Sequence, residues 1–196
     1  MKNYVAMYDL YRWRGKTDLK TFLLLFHTPK YKLVYLKRKC EEHKNHKISF
    51  LFYRLWYEHE MIKHDVDIGM SVKIGPGFII RHTGSIAIRN EVEIGHDVEI
   101  LQGVTIGYER RGKRLGSPVI GNRVWIGSNA VIVGKVKIGD NVLIAPNAFV
   151  NFDVPDNSIV IGNPGVIFPR QDATSGYMEN IMDFDEFAKR KGRVDL

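Results

Sequence analysis

The sequence has a single cysteine and no apolar run long enough to cross a membrane. Cys40 has no second cysteine to pair with, so an internal disulfide is excluded and a reducing compartment is indicated. A membrane span needs about 18 apolar residues, and neither such a run nor a signal-peptide pattern is present. The seven histidines lack the spacing and partners of metal ligands. We therefore expect a cytoplasmic protein without a metal ion.

The chain outside its first third has almost no net charge, so the positive surplus is confined to that first third. Residues 1–64 hold 14 Lys and Arg against 6 Asp and Glu, together with 13 of the 22 aromatic residues. The segment contains no nucleic-acid-binding motif, so we expect no nucleic-acid partner. Its pattern predicts helices broken at Gly15–Asp18 and at Pro29, with Thr17 or Asp18 as a cap. It either packs against the rest of the protein or docks on an anionic membrane surface or a synthase, the latter as a peripheral protein at the inner face.

What the sequence does have, from residue 66 to residue 167, is an aliphatic residue at every sixth position. A period of six predicts a short strand and a turn repeated many times, which is typical of a parallel β-helix. Three hexads would form one triangular coil of about 18 residues, giving five to six coils. The repeated residues are Ile68, Ile74, Ile80, Ile88, Ile94, Ile100, Ile106, Ile120, Ile126, Ile132, Ile138, Ile144 and Val150.

Glycine commonly follows the aliphatic residue, and asparagine often stands three residues after it. Both types tolerate the left-handed backbone of a tight corner. The period is broken at residues 81–85 and at residues 108–118, where chain must leave the regular coil. Because function concentrates on irregular segments held by a rigid scaffold, these two breaks are the predicted location of a site.

Four motifs in this repeat resemble those of the hexapeptide-repeat acyltransferases. They are Val66-Asp67-Ile68, His82-Thr83-Gly84, the run Leu-Gln-Gly-Val-Thr-Ile-Gly that ends at Gly107, and Ile-Gly-Asn-Pro near the end of the repeat. The sequence is most similar to the serine acetyltransferase branch and its shorter relatives of polysaccharide biosynthesis. The resemblance implies a left-handed parallel β-helix, a homotrimer with active sites between neighbouring prisms, and acetyl-CoA as co-substrate.

Together these observations predict a mostly β protein in three parts. Residues 1–63 form the helical, basic and aromatic segment, and residues 64–170 form the left-handed β-helix acyltransferase domain. Residues 171–196 form a tail with a helical stretch near residues 177–191, which covers the open end of the β-helix or lies in solvent.

The resemblance makes His82 the catalytic base and Asp67 its partner. A hydroxyl is a poor nucleophile at neutral pH, and a general base contributes roughly 10²–10⁴-fold. A carboxylate on the far nitrogen of the imidazole would fix its tautomer. Asp67 and His82 are separated by nearly one coil, which places them on neighbouring layers. His64 and His96 are the competing histidines, and His96 is expected at a solvent-facing corner.

The resemblance also assigns the residues that bind the two substrates. The donor residues are those at positions that match a groove for an extended CoA arm or its phosphates: Ala130, Gly134, Lys135, Ala148, Gly162, Asn163, Pro164 and Arg170. Ala130 and Ala148 also fit interior positions of the repeat. The acceptor residues are Arg81, Gly116 and Ser117, which replace an acid and an Arg-His pair of true serine acetyltransferases.

These replacements favour a saccharide acceptor over free serine, because Arg81 would repel an ammonium group. The sequence therefore predicts an O-acetyltransferase for a sugar or saccharide intermediate of cell-surface polysaccharide synthesis. Serine O-acetylation in cysteine biosynthesis is the alternative enzyme activity. A non-catalytic trimeric β-helix scaffold is the alternative from another class.

Overall fold

Four helices, a parallel β-helix and a fifth helix follow one another along the chain. The computed structural model describes residues 4–194. Gly15, with φ of +65°, ends the first helix, and the Thr21 N–H donates to the Asp18 carboxylate at 2.8 Å to begin the second. Pro29 occupies the first turn of the third helix, where its missing N–H costs nothing. The helices are α1 Tyr4–Arg14, α2 Leu19–Phe26, α3 Pro29–His43, α4 Lys47–Lys63 and α5 Phe184–Val194.

The β-helix is built from short strands that return to the same face once per coil. A 3-10 helix, Gly112–Arg114, lies in the longer break of the repeat. The strands are β1 Val66–Ile68, β2 Lys73–Ile74, β3 Ile79–Ile80, β4 Ile86–Ile88, β5 Glu93–Ile94, β6 Glu99–Ile100, β7 Thr105–Gly107, β8 Val119–Ile120, β9 Val124–Ile126, β10 Val131–Val133, β11 Lys137–Ile138, β12 Val142–Ile144, β13 Phe149–Val150, β14 Ser158–Ile161 and β15 Val166–Pro169.

Three sheets form the faces of the prism, which has about five coils. Sheet A contains β1, β4, β7, β10 and β13, sheet B contains β2, β5, β8 and β11, and sheet C contains β3, β6, β9, β12, β14 and β15. The strands pair in parallel, except that β15 turns back antiparallel on β14. The predicted parallel β-helix is confirmed.

The aliphatic repeat forms the core because equivalent positions of successive coils lie in register. In sheet A, Ile88 pairs with Ile106, Ile106 with Ile132 and Ile132 with Val150, and all four are buried. Adjacent strands are about 4.8 Å apart, so each aliphatic side chain packs directly on the next one. A period of six thus becomes a continuous apolar column inside the prism.

Glycine and asparagine have different roles at the corners, which corrects the common role predicted for them. Asn129, Asn141 and Asn147 do have positive φ, between 53° and 60°. The glycines that follow the aliphatic residues do not have it, and they are required by contact between coils. A Cβ atom on Gly95 would lie 2.6 Å from the carbonyl oxygen of Gly121, a separation that no side chain tolerates.

The helical segment packs on the first coils and shares their core. Leu33 and Leu36 of α3 and Tyr57 of α4 belong to the same buried cluster as the aliphatic columns. The Tyr57 hydroxyl donates to the Ile68 carbonyl at 3.3 Å, which links α4 to β1. Many of the aromatic residues that distinguish this segment are therefore core residues. Among residues 4–194, no helix is both long and apolar enough to span a membrane.

Cys40 provides a direct measure of whether this shared core is intact. Its thiol is fully buried, and burial raises its pKa to about 11. Because the thiolate is the reactive form, we expect alkylation of Cys40 near pH 8 to be at least about 10²-fold slower in native protein than in denaturant. A thiol introduced by Ser175→Cys, at an exposed position, should react at the rate of a free thiol. Equal native rates at both positions would show that the helical segment opens freely.

The C-terminal tail follows a different course from either one predicted for it. It runs back along the outside of sheet C, where the rings of Trp125 and Tyr177 lie 4.8 Å apart. Helix α5 then packs on α1, with Tyr8 at 5.6 Å from Phe184 and at 5.0 Å from Phe187. The two ends of the chain therefore meet on one face of the prism, because each supplies aromatic surface that the other buries.

Candidate active site

His82 lies at the corner where the chain passes from sheet C to sheet A. The corner is fixed from below by Asp65, whose carboxylate accepts from the Ser85 N–H at 2.8 Å and from its hydroxyl at 2.7 Å. It is fixed from above by the Gly103 N–H, which donates to the Gly84 carbonyl at 2.8 Å. The His82 side chain is exposed and makes no hydrogen bond to residues 4–194. Its imidazole is thus held on a fixed backbone and is accessible to a substrate.

Asp67 lies on the neighbouring strand of sheet A and points outward. It is exposed, and its register partner is Ala87, five residues after His82. The structure therefore brings both predicted catalytic residues to the same region, on adjacent coils. Within the described chain, however, no hydrogen bond joins the Asp67 carboxylate to the His82 imidazole. Their catalytic pairing stays a prediction.

The outer face of sheet A extends from Asp67 to the far end of the prism. Its outward residues lie in register as Asp67, Ala87, Thr105, Val131 and Phe149. Four strand spacings separate the first from the last, a distance of about 19 Å. Apart from Asp67 these side chains are uncharged, and Ala87 is small. The face is a long shallow surface suited to an extended molecule.

A groove of about 350 Å³ lies on this face. Ala87, Thr105 and Gly107 lie along its floor, and Arg89 and Arg110 are among the residues that line it. Both guanidinium groups are exposed, and neither forms a salt bridge with a residue of the described chain. The sequence predictions did not include Arg89. The sequence signal for Arg89 was its position directly after the buried Ile88, because that position lies on the same outer face of sheet A as Asp67.

The turn predicted to bind the donor lies at the far end of the same face. The Phe149 N–H donates to the Gly162 carbonyl at 3.0 Å, and the Gly165 N–H donates to the Phe149 carbonyl at 2.9 Å. Gly162 has φ of +97°, and the bond from Asn163 to Pro164 is cis. The structure therefore places the predicted catalytic residues and this turn at opposite ends of one surface.

Ala130 and Ala148 do not line this surface, which corrects their assignment to the donor site. Both side chains are buried in the interior column. Their carbonyl groups also accept hydrogen bonds within the β-helix: the Thr105 N–H donates to the Ala130 carbonyl and the Val131 N–H donates to the Ala148 carbonyl. The two positions that match the family's donor groove are interior positions of the repeat in this chain. The sequence did not distinguish the two environments, because a small residue suits both a ligand groove and an apolar column.

The long break of the repeat is a hairpin that folds over the corner after β10. Glu109 and Gly116 exchange backbone hydrogen bonds at 3.0 and 3.1 Å. The Lys135 N–H donates to the Arg114 carbonyl at 2.8 Å, and a Cβ atom on Gly134 would lie 3.1 Å from that oxygen. The predicted residues Gly116, Gly134 and Lys135 are therefore brought together. Ser117 follows at the base of the hairpin, with its hydroxyl buried and without a hydrogen-bond partner in residues 4–194.

Arg170 lies apart from the Gly162 turn. Its N–H donates to the Asn157 carbonyl at the start of β14, whereas the turn follows the end of that strand. Its guanidinium pairs with the Asp172 carboxylate at 2.5 Å. The structure thus does not group Arg170 with the other predicted donor residues, because the hairpin of β14 and β15 separates them.

The Arg81 guanidinium pairs with a buried carboxylate, so it is not free for the acceptor contact predicted for it. Its guanidinium donates to Glu99 at 2.6 Å and lies 5.6 Å from the centre of the Trp13 ring. Glu99 is fully buried and also pairs with Arg12 at 2.8 Å. Arg12 pairs in turn with the buried Asp97 at 2.8 Å. Arg81 therefore belongs to an ion network that fixes α1 on sheet C.

His96 has a close carboxylate partner. Its Nδ1 lies 2.8 Å from the Asp97 carboxylate, and its side chain is 47% exposed, as expected for a corner position. The Tyr8 hydroxyl also donates to Asp97 at 2.9 Å, and burial raises the pKa of Tyr8. Asp97 is thus shared with Arg12 and Tyr8 and serves the contact with α1. His64, the other competitor, lies 3.4 Å from Glu60 at the end of α4.

In residues 4–194, no group of His, Cys, Asp and Glu side chains could hold a metal ion.

Comparisons with known proteins agree with the repeat and the fold. The model of the bacterial transferase hexapeptide family (six repeats) matches residues 117–151. The serine acetyltransferase of Neisseria gonorrhoeae in complex with serine is 27% identical with a TM-score of 0.64, over 84% of this chain and 67% of that one. A serine acetyltransferase in complex with CoA is 26% identical with a TM-score of 0.68, over 84% and 68%. The soybean enzyme complexed with serine is 25% identical with a TM-score of 0.67, over 84% and 68%. No curated protein matches the sequence significantly.

The repeat and the parallel β-helix agree with the predicted resemblance to the hexapeptide-repeat acyltransferases. Within that class, the solved structures confirm the predicted resemblance to the serine acetyltransferase-like branch.

Proposed function

We propose that this protein transfers the acetyl group of acetyl-CoA to a hydroxyl of a small acceptor. The observation that carries this proposal is the outer face of sheet A, which joins the region of His82 and Asp67 to the Gly162 turn over about 19 Å. An uncharged, extended pantetheine arm fits such a surface, because beyond Asp67 its outward side chains carry no charge that would have to be desolvated. The relative solved with CoA supports the choice of donor.

In the proposed reaction the exposed imidazole of His82 accepts the proton of the acceptor hydroxyl. The hydroxyl oxygen bonds to the thioester carbonyl carbon, the carbon–sulfur bond breaks, and the imidazolium returns the proton to the sulfur of CoA. Asp67 stabilises the imidazolium when its carboxylate reaches the other ring nitrogen. Atoms and charge balance without a metal ion or an oxidant.

A homotrimer would complete the site. The outer face of sheet A is open on one side in a single chain, and a neighbouring prism would convert its groove into a closed cleft. Closed cyclic symmetry is the usual outcome for a homo-oligomer with repeated contacts.

Serine is the first candidate acceptor. The soybean and Neisseria relatives were solved with serine bound. The charge argument against serine depended on Arg81, whose guanidinium is instead held by Glu99. The groove also offers a partner for the carboxylate of serine, since the exposed Arg89 lines it.

A saccharide hydroxyl is the second candidate acceptor. It is favoured by Gly116 and Ser117, which stand where serine acetyltransferases have an Arg-His pair, and by the lack of an acid directly before His82. A neutral sugar needs hydrogen bonds and no fixed charge partners, so these replacements would not impair its binding.

Acetyl-CoA cleavage measured with L-serine and with a panel of sugars and sugar nucleotides tests both candidates. If serine is the acceptor, Arg89→Met should raise the KM for serine at least about tenfold with a smaller effect on kcat, because it removes ground-state binding of the carboxylate. Arg123→Met, at an exposed corner away from the groove, is the matched control and should change neither constant. A kcat/KM at least about 10²-fold higher for a sugar than for serine would select the saccharide instead. Cleavage with none of these acceptors would count against the proposed activity itself.

A further inference from the structure

Helix α4 carries a row of apolar side chains that face solvent. We call this row the α4 outer face, and it consists of Ile48, Leu51, Phe52, Leu55 and Ile62. These positions recur at spacings of three, four and seven, which places them on one side of a helix. Ile48 is 89% exposed and Ile62 is 84% exposed, and the other three are more than half exposed. Single exposed apolar residues are common in soluble proteins, but a row of five along one helix is not.

The fold does not require this face. The opposite side of α4 packs on α3 and β1, where Tyr57 and Glu60 are buried and Tyr53 and Met61 are partly buried. The helix therefore has two apolar sides, and only the inner one belongs to the core. These two interleaved patterns explain why the sequence shows no clean amphipathic period.

A second exposed apolar surface adjoins the first one. Leu19, Leu23 and Leu24 of α2 are each more than half exposed. The rings of Phe26, at the end of α2, and Trp56, in the middle of α4, lie 5.9 Å apart. The two surfaces are thus connected through an aromatic contact.

Lysines accompany the apolar residues. Lys47 and Lys63 lie on the two flanks of the α4 outer face, and Lys20 lies among the exposed leucines of α2. All three are exposed, and none of them forms a salt bridge within residues 4–194.

The acids of this segment are already engaged by other residues. Asp9 pairs with Arg38, Glu58 with Arg54 and Glu60 with Lys32. Glu41 and Glu42 form salt bridges within α3, and Asp18 caps α2. The positive surplus of the segment is therefore displayed beside its exposed apolar surface.

We propose that the α4 outer face docks on a bilayer that contains anionic lipids. The helix, about 25 Å long, would lie in the plane of the interface with Ile48, Leu55 and Ile62 below the level of the headgroups. The lysines on its flanks would contact lipid phosphates, which supply the opposite charge. A protein partner would need an apolar groove fringed with acids, whereas an anionic bilayer offers both features along the whole helix. This inference does not depend on the acceptor of the proposed reaction.

Cosedimentation of the full chain with vesicles tests the proposal. Wild-type protein should bind vesicles of phosphatidylcholine and phosphatidylserine mixed at about 7:3, and it should bind pure phosphatidylcholine at least about tenfold more weakly. High salt should weaken the binding, because part of it is electrostatic. Ile48→Ser, Leu55→Ser and Ile62→Ser combined should lower the partition coefficient at least about tenfold.

The matched control combines Val119→Ser and Ile181→Ser, two exposed apolar positions outside the helical segment. It should bind vesicles like the wild type, and both variants should keep the native unfolding midpoint and the thioester cleavage rate. Vesicle binding that survives the triple change would overturn the proposal. A second result would also overturn the proposal: the wild type does not bind vesicles, and the triple variant changes the assembly mass measured by light scattering. The α4 outer face would then be an interface between copies of this chain.

Discussion

Replacing His82 with alanine should lower kcat at least about 10²-fold and leave the affinity for CoA nearly unchanged. A general base acts on the proton transferred in the transition state, and it contributes roughly 10²–10⁴-fold. The His82 side chain makes no hydrogen bond within the described residues, so its removal should not move the unfolding midpoint. Steady-state rates of thioester cleavage, with CoA affinity measured by calorimetry, check both parts of this expectation.

His96→Ala is the matched control, because His96 is also exposed and its imidazole has a carboxylate partner, Asp97. We expect this variant to keep most of the turnover. The result distinguishes two corners that present an imidazole to solvent. A near-normal rate for His82→Ala, with a large loss for His96→Ala, would move the catalytic base from the corner between sheets C and A to the corner between sheets B and C.

Arg12→Met should lower the free energy of unfolding by about 3–5 kcal/mol, which is typical when one partner of a buried ion pair is removed. The Arg12 guanidinium is fully buried and pairs with Asp97 and Glu99, both of which are buried too. It also donates to the carbonyl of Glu179, so the change removes a contact with the C-terminal tail. Denaturant unfolding measures the loss.

Two further variants separate the buried charge from the lost packing. Adding Asp97→Asn to Arg12→Met should recover part of the stability, because it removes a carboxylate left without its guanidinium. Lys73→Met removes the exposed pair of Lys73 and Glu93 and should change the midpoint little. An Arg12→Met variant as stable as the wild type would show that the ion network does not hold α1 on the prism.

The sequence predicted the β-helix well because its signal is local and repeated. Each aliphatic position of the hexad contacts the equivalent position one coil away, so the period alone specifies the register, as the stacking of Ile106 on Ile88 shows. The same strictness made the breaks at residues 81–85 and 108–118 visible, and both lie at corners that bear predicted site residues.

Other predictions failed because one residue type serves two environments. Ala130 fits a ligand groove and an apolar column equally well by size, and only the register places it in the column. Arg81 would be expected to point to solvent from a corner, yet a buried carboxylate on the next coil, Glu99, draws it inward. The period also gave no sign that Glu99, an outward position of sheet C, would be buried under α1.

The sequence by itself determined the coil, its length, its corners and the position of His82 and Asp67 on adjacent layers. Those features depend on contacts between residues about one coil apart, which a period records. Only the tertiary structure decided that both chain ends pack on sheet C, that Arg81 and Asp97 serve an ion network, and that α4 leaves an apolar face in solvent. The contacts of α1 with Asp97 and Glu99 span 89 and 87 residues of sequence. The exposed face of α4 depends on which of two helix sides is covered, and no local pattern encodes either feature.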